Sequence, residues 1–196
     1  NMEFDKALAQ SPSTNKKVFR IYTWEQPGIT LSYKQTIPND LKSIDHATRV
    51  TGGGLVFHSA GDIVLSFIAN NSDLTKGKLK EKMRLLTECT KNAFNSLNIE
   101  LTHSEDAKSI NREFCTAYPN PFELYLHNEK VLALTLRKYK HKFIIQGIVH
   151  LKENSTDFKS IEANYASYFT KGLSSLPCDK TALKLALIKQ IKYHET

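Results

Sequence analysis

The sequence predicts an α+β fold: two layers, with a mixed but mostly antiparallel sheet flanked by helices. Three observations carry that prediction. Three runs rich in β-formers, 122–127, 130–137 and 142–151, follow one another with only Asn128-Glu129 and residues 138–141 between them, and read as an antiparallel meander. Leu79, Met83, Leu86, Ala93, Phe94 and Leu97 recur at helical spacing over about five turns, with Lys and Glu on the other side. A second helical pattern, over 181–191, runs through Leu183, Leu187, Ile188 and Ile191.

The remaining elements follow in order. Phe4, Ala7 and Leu8 predict a short amphipathic helix over 2–9, and the polar residues 11–17 a loop. Residues 18–24 alternate and read as a strand, turned at Pro27 and Gly28 into a second strand over 29–35. Asn39 and Asp40 are placed to cap a short helix over 41–46. Strands are expected over 50–57 and 63–69, a helix start over 70–73, a short strand over 99–102 and a polar loop over 104–111. A helical spacing also spans 158–168, and the break Ser174-Ser175-Leu176-Pro177-Cys178 separates it from the last helix.

At 196 residues, 40% of them hydrophobic, the chain is long enough for one domain with a sizeable core. No apolar run reaches membrane-spanning length, so no membrane association is expected. Cys89, Cys115 and Cys178 are odd in number and far apart, which points to free thiols in a reducing, cytoplasmic setting rather than a disulfide framework or a metal site. Lys and Arg number 27 against 20 Asp and Glu, a formal charge of +7 that favours an acidic partner. The basic residues are spread along the chain without a nucleic-acid motif, so nucleic acid is not expected.

The most informative stretch is 48–70. Arg49 precedes Gly52, Gly53 and Gly54, which lead into Leu55, Val56 and Phe57 and end at His58. Backbone without Cβ atoms can approach a ligand or another strand closely, and successive N–H groups can line an anion-binding concavity. A tight turn between two strands is the plainer reading of the same glycines.

Thr51-Gly-Gly-Gly-Leu-Val-Phe-His58 behind Arg49 resembles the RRxxGGGxVFH signature of the lipoate–protein ligase and octanoyltransferase family. Four more segments match in order: Asn1-Met-Glu-Phe-Asp5 the NMAxD start, residues 20–35 the RxYxWxPPxxSLGxxQ strand pair, residues 115–124 the CFxAPSWYEL of the cysteine-dependent octanoyltransferases, and His127-Asn-Glu-Lys-Val131 the GxKI bearing the family lysine. The resemblance spans roughly 1–151. It implies the biotin/lipoate ligase fold, related to the catalytic core of class II aminoacyl-tRNA synthetases, as one catalytic domain over 1–196 without the accessory domain of many lipoate ligases.

The resemblance also implies an enzyme that takes an octanoyl or lipoyl group onto Cys115 and passes it to a lysine of a lipoyl domain. That domain belongs to a 2-oxoacid dehydrogenase or to the glycine-cleavage H protein, and an acyl carrier protein is the acyl donor. Lys130 corresponds to the lysine that meets the acyl carbonyl; Arg49, Gly52, Gly53, Gly54 and His58 are the expected substrate-binding residues. This route needs no cofactor and no metal. The alternatives are an ATP- and magnesium-dependent ligase working through an acyl-adenylate, and an inactive homologue that only binds lipoyl domains. The last is made credible by Val50, where the family has a second arginine, and by Leu132 to Thr135, where it reads Ala-Gly-Ser-Ala; Ser32, where it has glycine, is a further departure. In a regular strand Leu132 and Leu134 would share a face with Lys130 and project toward the glycine loop, narrowing the pocket.

Overall fold

The computed structural model describes residues 1–11, 17–73, 79–103, 120–174 and 178–195. Along the chain the strands are β1 (Val18–Thr23), β2 (Gly28–Leu31), β3 (His46–Thr48), β4 (Val56–His58), β5 (Ile63–Asn70), β6 (Thr102–His103), β7 (Leu124–Leu126), β8 (Glu129–Lys138) and β9 (Lys142–Val149). The helices are α1 (Met2–Gln10), α2 (Leu79–Asn95), α3 (Glu162–Tyr165) and α4 (Lys180–Glu195).

Six strands form one antiparallel sheet in the order β1-β5-β9-β8-β7-β6, with the expected meander as its β7-β8-β9 portion. Strands β5 and β9 are apolar on both faces, as central strands covered on both sides must be. Ile63, Leu65, Phe67, Phe143, Ile145 and Val149 face α2 and α4, whose stripes Met83, Leu86, Phe94 and Leu183, Leu187, Ile191 complete the main core. Each fully buried side chain of this size contributes about 1.5–3 kcal/mol of transfer free energy. The alternate residues face the other way: Ile68 and Ile144 pack with Ala9 of α1, and Val64 and Ile148 with Val56 of β4.

The expected helix-on-sheet layers are therefore present, and a three-stranded sheet, β3-β2-β4, covers part of the second face. Its β2–β3 pair is parallel and its β2–β4 pair antiparallel, which makes the fold mixed. This small sheet differs from the sequence expectation. Only Asn39–Leu41 turns as a 3-10 element, burying Leu41, and the chain then extends into β3 where a helix to 46 was expected. Residues 50–55 are not a strand. They cross from β3 to β4 on opposite sides of β2, so the glycines do not form a tight turn between neighbouring strands. The helix expected over 158–168 is broken into Lys159–Ile161, α3 and Ala166–Tyr168. There Phe158, Tyr165 and Phe169 close around Phe57 at ring-centroid distances of 5.0–5.7 Å, and that packing overrides local helical preference.

The β7–β8 hairpin turns on His127 and Asn128, both left-handed (φ 49° and 67°), a geometry suited to a two-residue hairpin loop. Just after it the register shifts. Tyr125 pairs with Lys130 but Leu124 with Leu132, leaving Val131 as an extra residue in β8. Such a bulge re-aims the side chains on either side of it. Val131, Leu132 and Leu134 all lie in the helix-facing core, and Leu134 fills the space that a Cβ on Gly147 would need. Ala133 instead packs with Val56, Val64 and Ile148, and the Thr135 hydroxyl donates to Gly52 O at 3.0 Å. The expectation for Leu132 and Leu134 is met only in part: Leu132 lies in the core, Leu134 packs in the core and also lines the cavity beside the glycine loop, and the bulge puts the small Ala133 and Thr135 next to that loop.

Candidate active site

Between β3 and β4 the chain is held by Arg49, whose guanidinium is only 4% exposed. Its NH1 donates to Thr30 O (3.1 Å) and Thr30 Oγ1 (3.3 Å), and its NH2 to Gly52 O (2.8 Å) and Gly54 O. A buried cation is tolerated when it is hydrogen-bonded, and here carbonyl dipoles from three places on the loop and β2 converge on it. Gly53 turns the loop with φ 93°, a conformation that favours glycine. A Cβ on Gly52 would meet no atom of the described residues within 4 Å. The second position of the motif, Val50, is buried with Ala9, Ile68 and Ile144, and Arg137 NH1 donates to its carbonyl at 3.0 Å.

The open space beside Gly52 belongs to a cavity of about 380 Å³, within the roughly 300–1,000 Å³ of small-molecule sites. Its apolar lining includes Val56, Val64, Ala133 and Ile148 together with Met83, Leu134 and Leu136; Met2 and Gln146 border it, and Asn120, Phe122 and Glu123 also line it. The Asn1-to-Asp5 motif has its role behind this cavity. Asp5, fully buried, accepts from Tyr22 Oη and Gln146 Nε2, both at 2.9 Å, and pairs with Arg20. Burial, then the Asp5 charge, push the Tyr22 hydroxyl far up, so it remains a donor. Gln146 Oε1 in turn accepts from Thr51, tying the glycine loop to β9.

His58 lines the same cavity. It stacks on Trp24 with ring centroids 4.4 Å apart, and its Nε2 lies 2.7 Å from Thr30 Oγ1. Its Nδ1 is buried with no hydrogen-bond partner among the described residues. Burial, then His150 and Arg49, hold its pKa well below the ordinary value, so the ring is neutral. His150 is itself buried against Asp62, Nδ1 to Oδ2 at 3.1 Å.

Lys130 is buried, and its Nζ lies 2.9 Å from Glu123 Oε2. Among the described residues it is Glu123, not Lys130, that lines the cavity, so the ammonium sits one hydrogen bond behind the wall. Arg49, Gly52, Gly53 and His58 are thus brought to one cavity, with Gly54 held through its carbonyl and Lys130 just behind. Cys115 lies outside the described residues; it shortly precedes Asn120 of the cavity wall in sequence. The other two thiols are poorly placed for chemistry. Cys89 is buried in α2, and burial, then Asp179, push the Cys178 thiol up. Sequence reasoning missed Glu123, Gln146 and Thr30. Glu123 alone carried a signal, as the acidic residue of the segment matched at 115–124.

The basic turn between β8 and β9 is more structured than its composition suggests. Lys138 and Lys140 are exposed, Arg137 lies over Tyr33 at 3.9 Å, but Lys142 is buried with its Nζ donating to Leu8 O. No helix among the described residues is long and apolar enough to cross a membrane.

Fold and site together fit the lipoyl protein ligase class, with an antiparallel sheet carrying a glycine-rich loop beside a cavity of small-molecule size. The chain belongs to the lipoyl protein ligase A/B catalytic domain family, whose model matches residues 1–195. It is 26% identical over 145 residues to octanoyltransferase LipM of Clostridioides difficile (strain 630), covering 67% of this chain and 54% of that protein. It is 23% identical over 170 residues to octanoyltransferase LipM of Bacillus anthracis, covering 78% and 61%. The chain therefore spans little more than half the length of these curated relatives. Among solved structures it is similar to lipoate-protein ligase A bound with ATP (TM-score 0.74, 18% identity, 98% of this chain and 78% of that one). It is also similar to the bi-partite lipoate protein ligase of Thermoplasma acidophilum, described with its E2 lipoyl domain (TM-score 0.69, 16% identity, 98% and 76%). At these identities the structures share the fold.

Proposed function

We propose that the chain is an acyltransferase of lipoate metabolism, moving an octanoyl or lipoyl group to the target lysine of a lipoyl domain through a thioester on Cys115. The observation that carries this reading is the cavity beside Gly52, apolar along Val56, Val64, Ala133 and Ile148 and bordered by a few fixed polar groups. The LipM relatives, by name octanoyltransferases, support the same reading.

The Cys115 thiolate attacks the thioester carbonyl of an acyl carrier protein, the donor thiol leaves, and the acyl group is held on the enzyme. The amine of the acceptor lysine then attacks that carbonyl and gives up a proton, and Cys115 leaves as thiolate. The acyl chain lies along the apolar wall and the Gly52 backbone. Lys130 stabilises the oxyanion, and neutral His58 offers its Nδ1 side to the substrate. No cofactor enters this route. The acceptor is the lipoyl domain of a 2-oxoacid dehydrogenase or the H protein of glycine cleavage.

The test offers the protein octanoyl carrier protein, or lipoate with ATP and magnesium, each with a purified apo lipoyl domain. Octanoylation of the domain from the carrier protein without nucleotide is the expected result. Modification only with lipoate and ATP would make the chain an adenylating ligase. Binding of the domain without turnover of either donor would make it an inactive homologue.

A further inference from the structure

We infer that Glu123 is a positioning residue for Lys130: its carboxylate keeps the ammonium charged and fixes its reach behind the cavity wall. This rests on the proposed role of Lys130 at the acyl carbonyl.

The geometry is that of a clamp. Glu123 is 2% exposed and Lys130 5%, so neither charge is shared with bulk water. A lysine buried without a counter-charge tends to lose its proton, and an ammonium that has lost it cannot stabilise an oxyanion. Glu123 supplies that counter-charge at 2.9 Å. The carboxylate is itself held from several directions. Oε2 also accepts from Tyr125 Oη (2.8 Å) and Asn120 N (3.0 Å), and Oε1 from Asn120 Nδ2 (2.7 Å). Asn120 Oδ1 accepts from Phe122 N at 2.9 Å, so the turn that presents Glu123 is stapled to itself. On the lysine side, Thr170 Oγ1 donates to Lys130 O at 2.8 Å, and the Val131 bulge follows directly.

The same bonds argue against Glu123 as a proton acceptor. Burial pushes its carboxyl up, with Lys130 first among the groups acting the other way. Each donor to the carboxylate stabilises the ionised form, and four donors leave little room for an incoming proton. The other ionisable groups around the pair are Tyr125 on β7, Glu129 on β8, His150 after β9, whose N–H donates to Val131 O, and Lys171, whose N–H donates to Glu129. None of them lies between Glu123 and Lys130, which touch directly.

The experiment is the pH–rate profile of acyl transfer from octanoyl carrier protein for the wild type, Glu123→Gln, Glu123→Asp and Lys130→Met. Glu123→Gln keeps the shape and removes the charge. Its kcat is expected to fall at least about tenfold near pH 8 while KM for the carrier protein changes little, and its alkaline limb to move to lower pH by about one unit or more. Glu123→Asp should restore part of both. An inactive Lys130→Met with an unchanged Glu123→Gln overturns the inference; so does a Glu123→Gln loss that is equal at every pH. A fully active Lys130→Met overturns the role of Lys130 itself and is distinguishable from either. Should Glu123→Gln not fold, ε-13C lysine NMR on the wild type, with Lys130 assigned by Lys130→Arg, decides the matter. A Lys130 resonance distinct from those of the surface lysines, as for an ammonium fixed against Glu123, is expected, and one that coincides with them overturns the inference.

Discussion

The two faces of β8 obey different rules. On the face toward α2 and α4, Val131, Leu132 and Leu134 are large, buried and packed to the point that Leu134 occupies the place of a side chain at Gly147. On the opposite face Ala133 and Thr135 are small and border open space beside Gly52. Alternation along one strand thus divides tight core packing from the small residues beside the glycine loop, and a single extra residue, Val131, decides which residues go to which side. Leu132, which looks like an obstruction in the sequence, is core, whereas Leu134 packs in the core and also lines the cavity, beside the small Ala133 and Thr135.

The largest effect that would break this comparison is on the core face. Leu132→Ala with Leu134→Ser should destabilise the protein severely, each truncation costing about 2–5 kcal/mol from lost burial and the cavity left behind. Chemical denaturation measures it. A double variant that keeps its stability and gains acyl binding would show that both leucines act as pocket wall and not as core.

On the site face the signs reverse. Gly52→Val projects into space that no described residue fills, so stability should change by less than about 1 kcal/mol while acyl transfer falls at least about tenfold by occlusion. Gly53→Val is the control next door: its left-handed φ of 93° makes the substitution cost about 1–2 kcal/mol in strain alone. Equal stability losses at the two positions, or full activity in Gly52→Val, would remove the cavity from the account.

How far the sequence reached follows the same division. The meander, α2 and α4 were legible because hydrophobic alternation and helical stripes are local signals, and their residues, such as Met83, Leu86 and Phe94, are where the periodicity puts them. The glycine motif pointed to residues that the fold brings to one cavity, Arg49, Gly52 and His58. The bulge at Val131 was not legible: it is set by pairing with Leu124 and Tyr125, a property of two strands together. Strand β3 and the broken turns around Phe158 and Tyr165 were missed for a similar reason, since they are held by β2 and by Phe57 across the chain. Glu123 drew no notice because its role depends on a partner, Lys130, that only the hairpin brings to it.

A smaller effect concerns acid. Folding holds His58 neutral, with its pKa lowered chiefly by burial, whereas the unfolded chain protonates it near pH 6.5. The unfolded state then binds more protons, so the contribution of His58 is complete above about pH 6.5 and is lost as pH falls toward the folded value. The slope is at most about 1.4 kcal/mol per pH unit for one proton. Denaturation from about pH 7 to 5 should show that slope in the wild type and a shallower one in His58→Gln. An unchanged slope would assign the acid sensitivity to a group other than His58.

The smallest effect is at the surface. Lys138→Glu with Lys140→Glu should slow association with an acidic lipoyl domain several-fold at low salt, with the difference shrinking as salt screens it over roughly 8–10 Å. Lys142 is excluded from this test because it is buried against α1. Stopped-flow association at two salt concentrations checks it, and an unchanged rate would return these lysines to an ordinary solvated surface.

The central claim is that the acyl group passes through Cys115, and intact-protein mass spectrometry tests it most directly. After incubation with octanoyl carrier protein, without nucleotide, the wild type, Cys89→Ser and Cys178→Ser should each carry one octanoyl adduct sensitive to hydroxylamine, and Cys115→Ser none. An adduct retained in Cys115→Ser, or no adduct at all while lipoate and ATP modify an apo lipoyl domain, would contradict the account.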